Sequence, residues 1–304
     1  KQGYLNKTLF KVTYKIGVKK YKQPDSLSIL EKLIDPVLEK LVRKKIQSRF
    51  GGRLKALVSG GAPLNPDIGI FFTALGLKIL QGYGQTESAP VISVNRSVNT
   101  KMHTVGPVIQ DTEVRIANDG EILCKGDLVM QGYWKDDDAT QNAIKDGWLH
   151  TGDIGYLDED SHLIITDRKK DIIVNSGGDN ISPQRVEGFL TLEPEIAQAM
   201  VHGDKRPHLV GLLVPDADFA ADWAAANDAD FNLAALIENE AFVKVIDRAV
   251  DRVNANLGII ERVRRFILTS EAFSVDNEQM TPTLKVRRHV VTDVYRERLD
   301  RLYR

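Results

Sequence analysis

Four short segments place glycines, hydroxyls and charges together where strands are expected to end. In SGGAPL (59–64) and QGYGQTES (81–88), glycines at two neighbouring strand ends allow a flat ligand to approach the backbone closely. Gly60, Gly61 and Ala62 would supply that edge. Tyr83 offers a stacking face, Thr86 a hydroxyl, and Glu87 a hard carboxylate of the kind Mg2+ takes. Plain turns, with Glu87 at the surface, account for the same residues. WLHTGD (148–153) sets Asp153 at a tight glycine turn, where a carboxylate can accept from two vicinal hydroxyls, as ribose requires. An Asx-type turn explains that segment equally when it stands alone. TDRKKDIIVNSGGDNISPQRVE (166–187) combines five consecutive charges, a strand, a double glycine and a helix start at Pro183; RKK alone reads as a solvated charge run.

These residues need elements to hold them. Residues 27–49 carry an apolar stripe at helical spacing (Leu30, Leu33, Ile34, Val37, Leu38, Leu41), with Ser28 and Glu31 as a capping pair. Pro36 is expected to split or kink that helix. LKALVSGG (54–61) and LKILQGYG (77–84) read as buried strands around a helix at 66–75, which makes an α/β crossover with ligand-binding loops at its carboxyl ends. From 104 to 168 the texture changes to short strands: TEVRIA, GEILCKG, LVMQGYW, GWLHTGDIGYLDED and HLIITDR, with turn signals between them. Beyond Arg168 the pattern predicts an α+β domain. It has helices at 186–194, 220–228 and 232–256, strands in AQAMVHG, HLVGLLVPD and FILTS, a loop with Pro282, and a charged helix at 286–303. The expected domains are therefore 1–168, divided into an α/β part (1–95) and a β subdomain (96–168), and 169–304.

Composition excludes several classes. Hydrophobic residues at 42% and charged residues at 27% are those of a folded protein, not of a disordered or collagen-like one. No run of 18 apolar residues exists, and KQGYLNKTLFK has no secretory apolar core. The single cysteine, Cys124, can form no internal disulfide, which fits the cytoplasm. Walker, GxGxxG, HExxH, EF-hand and GxSxG patterns are absent. Charge is unevenly spread: residues 1–55 hold 15 Lys or Arg against 4 Asp or Glu, and the remainder 26 against 38. Lys7, Lys11, Lys15 and Lys19 recur every four residues, so on a helix they form one solvated stripe. That stripe is compatible with peripheral contact to the inner face of a membrane. Nucleic acid is not an expected partner, because no recognition motif accompanies the charge.

SGGAPL, GYGQTES, TGD, DRKKDIIVNSGGDNISP and MTPTLKVRR (280–288), in that order, resemble the AMP-forming acyl-CoA synthetase family of adenylating enzymes. ILQGYGQTES and TPTLKVRR look most like the bacterial long-chain fatty acid–CoA ligases. The upstream phosphate loop of that family, a Ser/Thr/Gly-rich segment ending in Pro-Lys-Gly, has no counterpart here. The chain thus resembles the carboxyl-terminal half of such a ligase and is expected to make no acyl-AMP alone.

The resemblance implies a reaction and roles. A fatty acid carboxylate attacks the α-phosphorus of ATP to give acyl-AMP and pyrophosphate, and coenzyme A then displaces AMP. Tyr83 would lie against adenine, with Gly60, Gly61 and Ala62 along its edge. Asp153 would hold both ribose hydroxyls, and Arg168 would reach the ribose or α-phosphate. Thr86 would bond the phosphate, and Glu87 would hold Mg2+. Lys285 would come from a mobile domain that rotates about a hinge at Lys170. The rotated domain would bring Ser176, Gly177 and Gly178 to line the coenzyme A passage. Arg185, Arg206 or Arg287 would meet the coenzyme A phosphates. Transfer to a carrier protein instead of coenzyme A, and a non-catalytic nucleotide-binding derivative, are the alternatives.

Overall fold

A computed structural model describes residues 2–304, with side chains from Lys7 onward. The chain divides into two compact units, Lys1–Thr166 and Asp167–Arg304. The division falls two residues before the boundary expected from the sequence.

The first unit opens with helices α1 (Gln2–Lys22), α2 (Ile29–Leu38) and α3 (Lys44–Arg49). Ser28 and Glu31 form the expected reciprocal cap, at 3.3 and 2.8 Å. Pro36 neither stops nor splits the run. Instead the residues after it widen into a π turn (Glu39–Arg43), in which the Lys44 N–H donates to the Glu39 carbonyl five residues back. The π turn directs Arg43 inward, where its guanidinium reaches Asp35 Oδ1 (2.7 Å) and the Ala74 carbonyl (2.9 Å). The basic stripe of α1 is solvated at Lys7, Lys11 and Lys15, but Lys19 is paired with Glu31 at 2.6 Å and holds that carboxyl down at about 2.

Strands β1 (Leu57–Ser59) and β2 (Ile79–Tyr83) are parallel and joined by helix α4 (Pro66–Ala74), as the crossover pattern requires. β3 (Ser93–Val94) pairs antiparallel with β2. Strands β4 (Thr112–Ile116) and β5 (Glu121–Gly126), helix α5 (Asp137–Ala143), and strands β6 (Ile144–Lys145), β7 (Trp148–Leu157) and β8 (Leu163–Arg168) follow, the strands forming one five-stranded sheet. LVMQGYW, expected as a strand, is instead a loop. Val129 N–H turns back to the Gly126 carbonyl, and Thr140 Oγ1 accepts from Tyr133 N–H (2.9 Å), closing the loop on α5.

The second unit starts with a hairpin of β9 (Ile173–Val174) and β10 (Asn180–Ile181), then α6 (Pro183–Leu190), capped by Ser182 with Pro183 in its first turn. β11 (Ile196–His202), β12 (Leu209–Pro215), α7 (Ala217–Ala226), α8 (Leu233–Leu236), α9 (Glu240–Asn254), β13 (Val263–Leu268) and α10 (Arg288–Arg301) complete it. Asn239 caps α9 and breaks the expected 232–256 helix in two. The sheet order is β11-β12-β13, with β12 buried along its whole length. Leu209 and Leu213 face a core shared with Val186, Phe242 and Ile246, while Val210, Leu212 and Val214 face Val291, Tyr295 and Leu299 of α10. A central strand covered on both faces is apolar throughout, as this one is.

Candidate nucleotide site

β1 and β2 run in register, Ser59 opposite Gln81, so the loops after them lie side by side. A Cβ at Gly60 would stand 3.3 Å from the Gly82 carbonyl oxygen; Gly61 has φ +80 and open space around its Cα. Gly84 behaves differently. A Cβ there would meet the Pro90 carbonyl at 1.7 Å, so this glycine serves the chain's own turn and not the approach of a ligand.

Tyr83 ends β2 and is 9% exposed, its ring packed with Ile92, Ile122 and Leu163. Its hydroxyl donates to Asp153 Oδ2 at 2.6 Å, which joins two motifs that lie 70 residues apart. Asp153 does not sit at a strand-ending turn. TGD belongs to the ten-residue strand β7, with Gly152 at φ +70 and a register shift against β5 between Glu121 and Leu123. That irregularity is a bulge of the kind that re-aims a side chain. Gly152 N–H donates to Glu121 Oε1 (3.0 Å) and Asp153 N–H to Thr151 Oγ1 (3.1 Å), so the bulge is pinned on both sides of the glycine.

Thr86, Glu87 and Ser88 form a single 3-10 turn. Ser88 closes it, accepting from Gln85 N–H (3.0 Å) and donating to the Gln85 carbonyl (2.9 Å). Thr86 is exposed and Glu87 half-buried. The Glu87 carbonyl accepts from Met130 N–H (2.9 Å), and its Oε1 accepts from the Tyr133 hydroxyl (2.8 Å). That carboxylate raises the Tyr133 phenol above its ordinary value. Tyr133 escapes a sequence reading that takes 128–134 as a strand; the only signal was an aromatic flanked by Gly132 and Trp134. A single hard carboxylate in a half-buried turn matches how Mg2+ is held, with waters and substrate phosphates filling its other positions. Burial pushes the Cys124 thiol up to about 11, so it is no nucleophile at neutral pH.

The remaining candidates lie in the second unit. Arg168 closes β8, its N–H donating to Asp167 Oδ1 (2.6 Å), and its carbonyl accepts from Asp171 and Ile172 N–H. Lys170 sits exposed in that turn. Ser176, Gly177 and Gly178 form the tip of the β9–β10 hairpin, built on Asn175, whose Oδ1 accepts from the N–H groups of Gly177 and Asp179, both at 2.9 Å. Of the three arginines considered for phosphate contacts, Arg206 is paired with Asp300, Arg185 with Glu261 (2.9 Å), and Arg287 donates to the Glu278 carbonyl (3.2 Å). Lys285 is exposed on a short hairpin before α10.

Comparison with solved structures places this architecture among adenylate-forming domains. The adenylation domain of a carboxylate reductase from Mycobacterium chelonae superposes with a TM-score of 0.69 over 97% of this chain and 45% of that one, at 23% identity. The amide bond synthetase McbA from Marinactinospora thermotolerans gives 0.57 over 79% of this chain and 46% of that one, at 26% identity. Residues 26–134 match the model of the AMP-binding enzyme family and residues 170–304 that of the AMP-binding enzyme C-terminal domain, and the chain belongs to this family. It is 37% identical over 269 residues to long-chain-fatty-acid–CoA ligase FadD15 of Mycobacterium bovis, covering 88% of this chain and 45% of the relative. It is 36% identical over 283 residues to long-chain-fatty-acid–CoA ligase 1 of Cavia porcellus, covering 88% and 40%. The chain thus spans less than half the length of these curated relatives. Among the described residues, no helix is long and apolar enough to cross a membrane.

Proposed function

We propose that the chain forms the nucleotide-binding and carboxyl-terminal parts of a long-chain fatty acid–CoA ligase. The observation that carries this reading is the hydrogen bond from Tyr83 to Asp153 beside the two glycine turns. It fixes a buried carboxylate next to an aromatic ring at the carboxyl end of a parallel pair, where α/β proteins bind nucleotides. In this reading the loop of Gly60, Gly61 and Ala62 borders adenine, Tyr83 packs against it, and Asp153 accepts from the ribose hydroxyls. Arg168 reaches the ribose or α-phosphate. Thr86 bonds a phosphate, and Glu87, oriented by Tyr133, holds Mg2+, which when bound offsets charge on the departing pyrophosphate. Lys285 stabilises negative charge as the carboxylate attacks phosphorus, a contact worth roughly 3 kcal/mol in a dry site. Turning about Lys170 then exchanges Lys285 for the loop of Ser176, Gly177 and Gly178, along which the thiol of coenzyme A enters to displace AMP. The names of the curated relatives support a fatty acid as substrate and coenzyme A as acceptor.

Asp153→Ala in the whole ligase tests the assignment. It should weaken ATP and AMP alike, and it should remove the preference for ATP over 2′-deoxy-ATP. Retention of that preference would place the ribose elsewhere. Lys285→Ala should slow acyl-AMP formation about a hundredfold and largely spare thioester formation from supplied acyl-AMP.

A further inference from the structure

Lys285 is carried on a hairpin that is stiff within itself. The Thr281 N–H donates to the Lys285 carbonyl (2.8 Å), the Lys285 N–H to Thr281 Oγ1 (3.0 Å), and the Arg287 N–H to the Gln279 carbonyl (2.8 Å). Met280 and Val286 pair across it, and Leu284 turns the tip with φ +60. A bonded hairpin of this kind aims as one piece, so its direction is set where it is fastened.

The foot of the hairpin packs through Met280 and Val286 against the core that holds Phe273 and Val291, and its polar fastening is Arg288, the first residue of α10. Its guanidinium forks onto the Glu187 carboxylate of α6 at 2.7 and 2.9 Å, and Nη1 also reaches the Val201 carbonyl (3.0 Å). Glu187 Oε1 in turn accepts from Val201 N–H (2.8 Å), so α6, β11 and the foot of the hairpin meet at one planar contact. The two side chains are 21% and 13% exposed, which places the pair largely out of water. Burial opposes the Arg288 charge, but the Glu187, Asp171 and Asp167 carboxylates outweigh it and hold the guanidinium above its usual range. The glycine loop is fastened separately: Val174 N–H donates to Asp204 Oδ1 (3.2 Å), Lys205 N–H to the Val174 carbonyl (2.8 Å) and Ser176 N–H to the Arg206 carbonyl (2.9 Å).

We propose that Glu187 and Arg288 are positioning residues for Lys285, setting the aim of its hairpin and hence the rate of acyl-AMP formation alone. The inference rests on the ligase reading above. Arg288→Lys keeps the charge but cannot fork onto a carboxylate. A misplacement of about 1 Å at a reacting group costs up to about a hundredfold. In the whole ligase, Arg288→Lys should therefore lower kcat for fatty-acid-dependent pyrophosphate release by roughly tenfold to a hundredfold, leave KM for ATP unchanged, and leave single-turnover thioester formation from supplied acyl-AMP within about twofold. The thioester step serves as the internal measure of folding. Should that variant not fold, the paired replacement Glu187→Met/Arg288→Met removes the fork without leaving a buried charge, an exchange that proteins generally tolerate. It should show the same selective loss. Equal loss in both half-reactions, or unchanged adenylation in a folded variant, overturns the proposal. Lys285→Ala measured in parallel separates the two readings. If it leaves adenylation intact, the ligase assignment of Lys285 fails; if it slows adenylation while the Arg288 variants do not, only the positioning role fails.

Discussion

In the second unit the faces of β12 are both covered, and Leu209, Val210, Leu212 and Leu213 are fully buried. In the first unit Ile29, Leu30, Leu33, Ile34, Val37 and Leu41 of the α2 region lie between 43% and 80% exposed, and Val58 of β1 is 72% exposed. Both stretches look alike in sequence, each an apolar pattern that asks for burial. The difference is that α6, α7, α9 and α10 supply the second unit with its own cover, whereas nothing among the described residues of the first unit lies over the α2 stripe. An apolar stripe reveals which face seeks a partner, and the rest of its own unit decides whether that face finds one.

The largest expected effect lies on the closed side of this comparison. Phe242 is 0% exposed and packs edge-on against Trp223 at 5.2 Å. Phe242→Ala should cost the second unit about 3–5 kcal/mol, read from the urea midpoint of Trp223 fluorescence. A loss under about 1 kcal/mol would mean that the core around Phe242 is loosely packed.

Next in size is Arg43, the principal buried charge holding the helical part of the first unit together. Arg43→Met leaves Asp35 with Lys20 as its remaining ion-pair partner and should cost about 3 kcal/mol by thermal unfolding, with α1 to α3 losing helical signal first. Unchanged stability would make the Asp35 contact dispensable.

Acidification should move the contributions of two buried carboxyls, one in each unit, in opposite directions. Burial raises the Asp35 carboxyl, but its bonds to Lys20 and Arg43 outweigh burial and hold it below the usual range. A carboxyl lowered by folding contributes stability above its unfolded pKa, and that stability is lost as pH falls through the folded value. Asp35→Asn should therefore cost stability at pH 7 and progressively less as the carboxylate range is passed. Asp167 is buried, its Oδ2 lacks a partner, and desolvation raises it. A raised carboxyl costs stability at neutral pH and relieves that cost when protonated. Asp167→Asn should stabilise at pH 7, with the gain fading toward low pH. Parallel melts of both variants across pH 3–7 check the signs, and two curves of the same sign would refute the contrast. The smallest effect should be Leu33→Ala in the 304-residue chain, within about 0.5 kcal/mol. A loss of several times that size, dependent on protein concentration, would show that copies of the chain cover the stripe for each other.

Much of this fold is legible in the residues because it is dictated locally. Ser28 with Glu31, the helix start at Pro183, and the β1–α4–β2 crossover follow from capping chemistry, proline's place in a first turn and periodicity. Other features depend on contacts between distant residues. GWLHTGDIGYLDED reads as strand on both sides of Gly152, but nothing near that glycine says that the strand bulges there; the bulge is pinned by Glu121, 31 residues away. Nothing in LVMQGYW forbids a strand, but Met130 N–H is taken by the Glu87 carbonyl and Tyr133 by the Glu87 carboxylate. The candidate site is legible as a set of motifs, whereas the bonds from Tyr83 to Asp153 and from Tyr133 to Glu87 are visible only once the chain has folded.

The π turn at Glu39–Arg43 also bears on how the chain tolerates changes in length. A π turn carries one residue more than the α register around it. Removing any one residue from 39–42 would let the helix run on unbroken, so such a deletion would look harmless by helical propensity. The wider turn already takes up that residue, so the helix beyond it would keep nearly the same face, and Gln47 and Arg43 would stay within reach of the Gly76 and Ala74 carbonyls. Removing a residue from α3 instead would turn everything after it by about 100° around the helix axis. The segment can therefore lose a residue where its turn is wide but not beyond it, a constraint on insertions and deletions that no single substitution there would reveal.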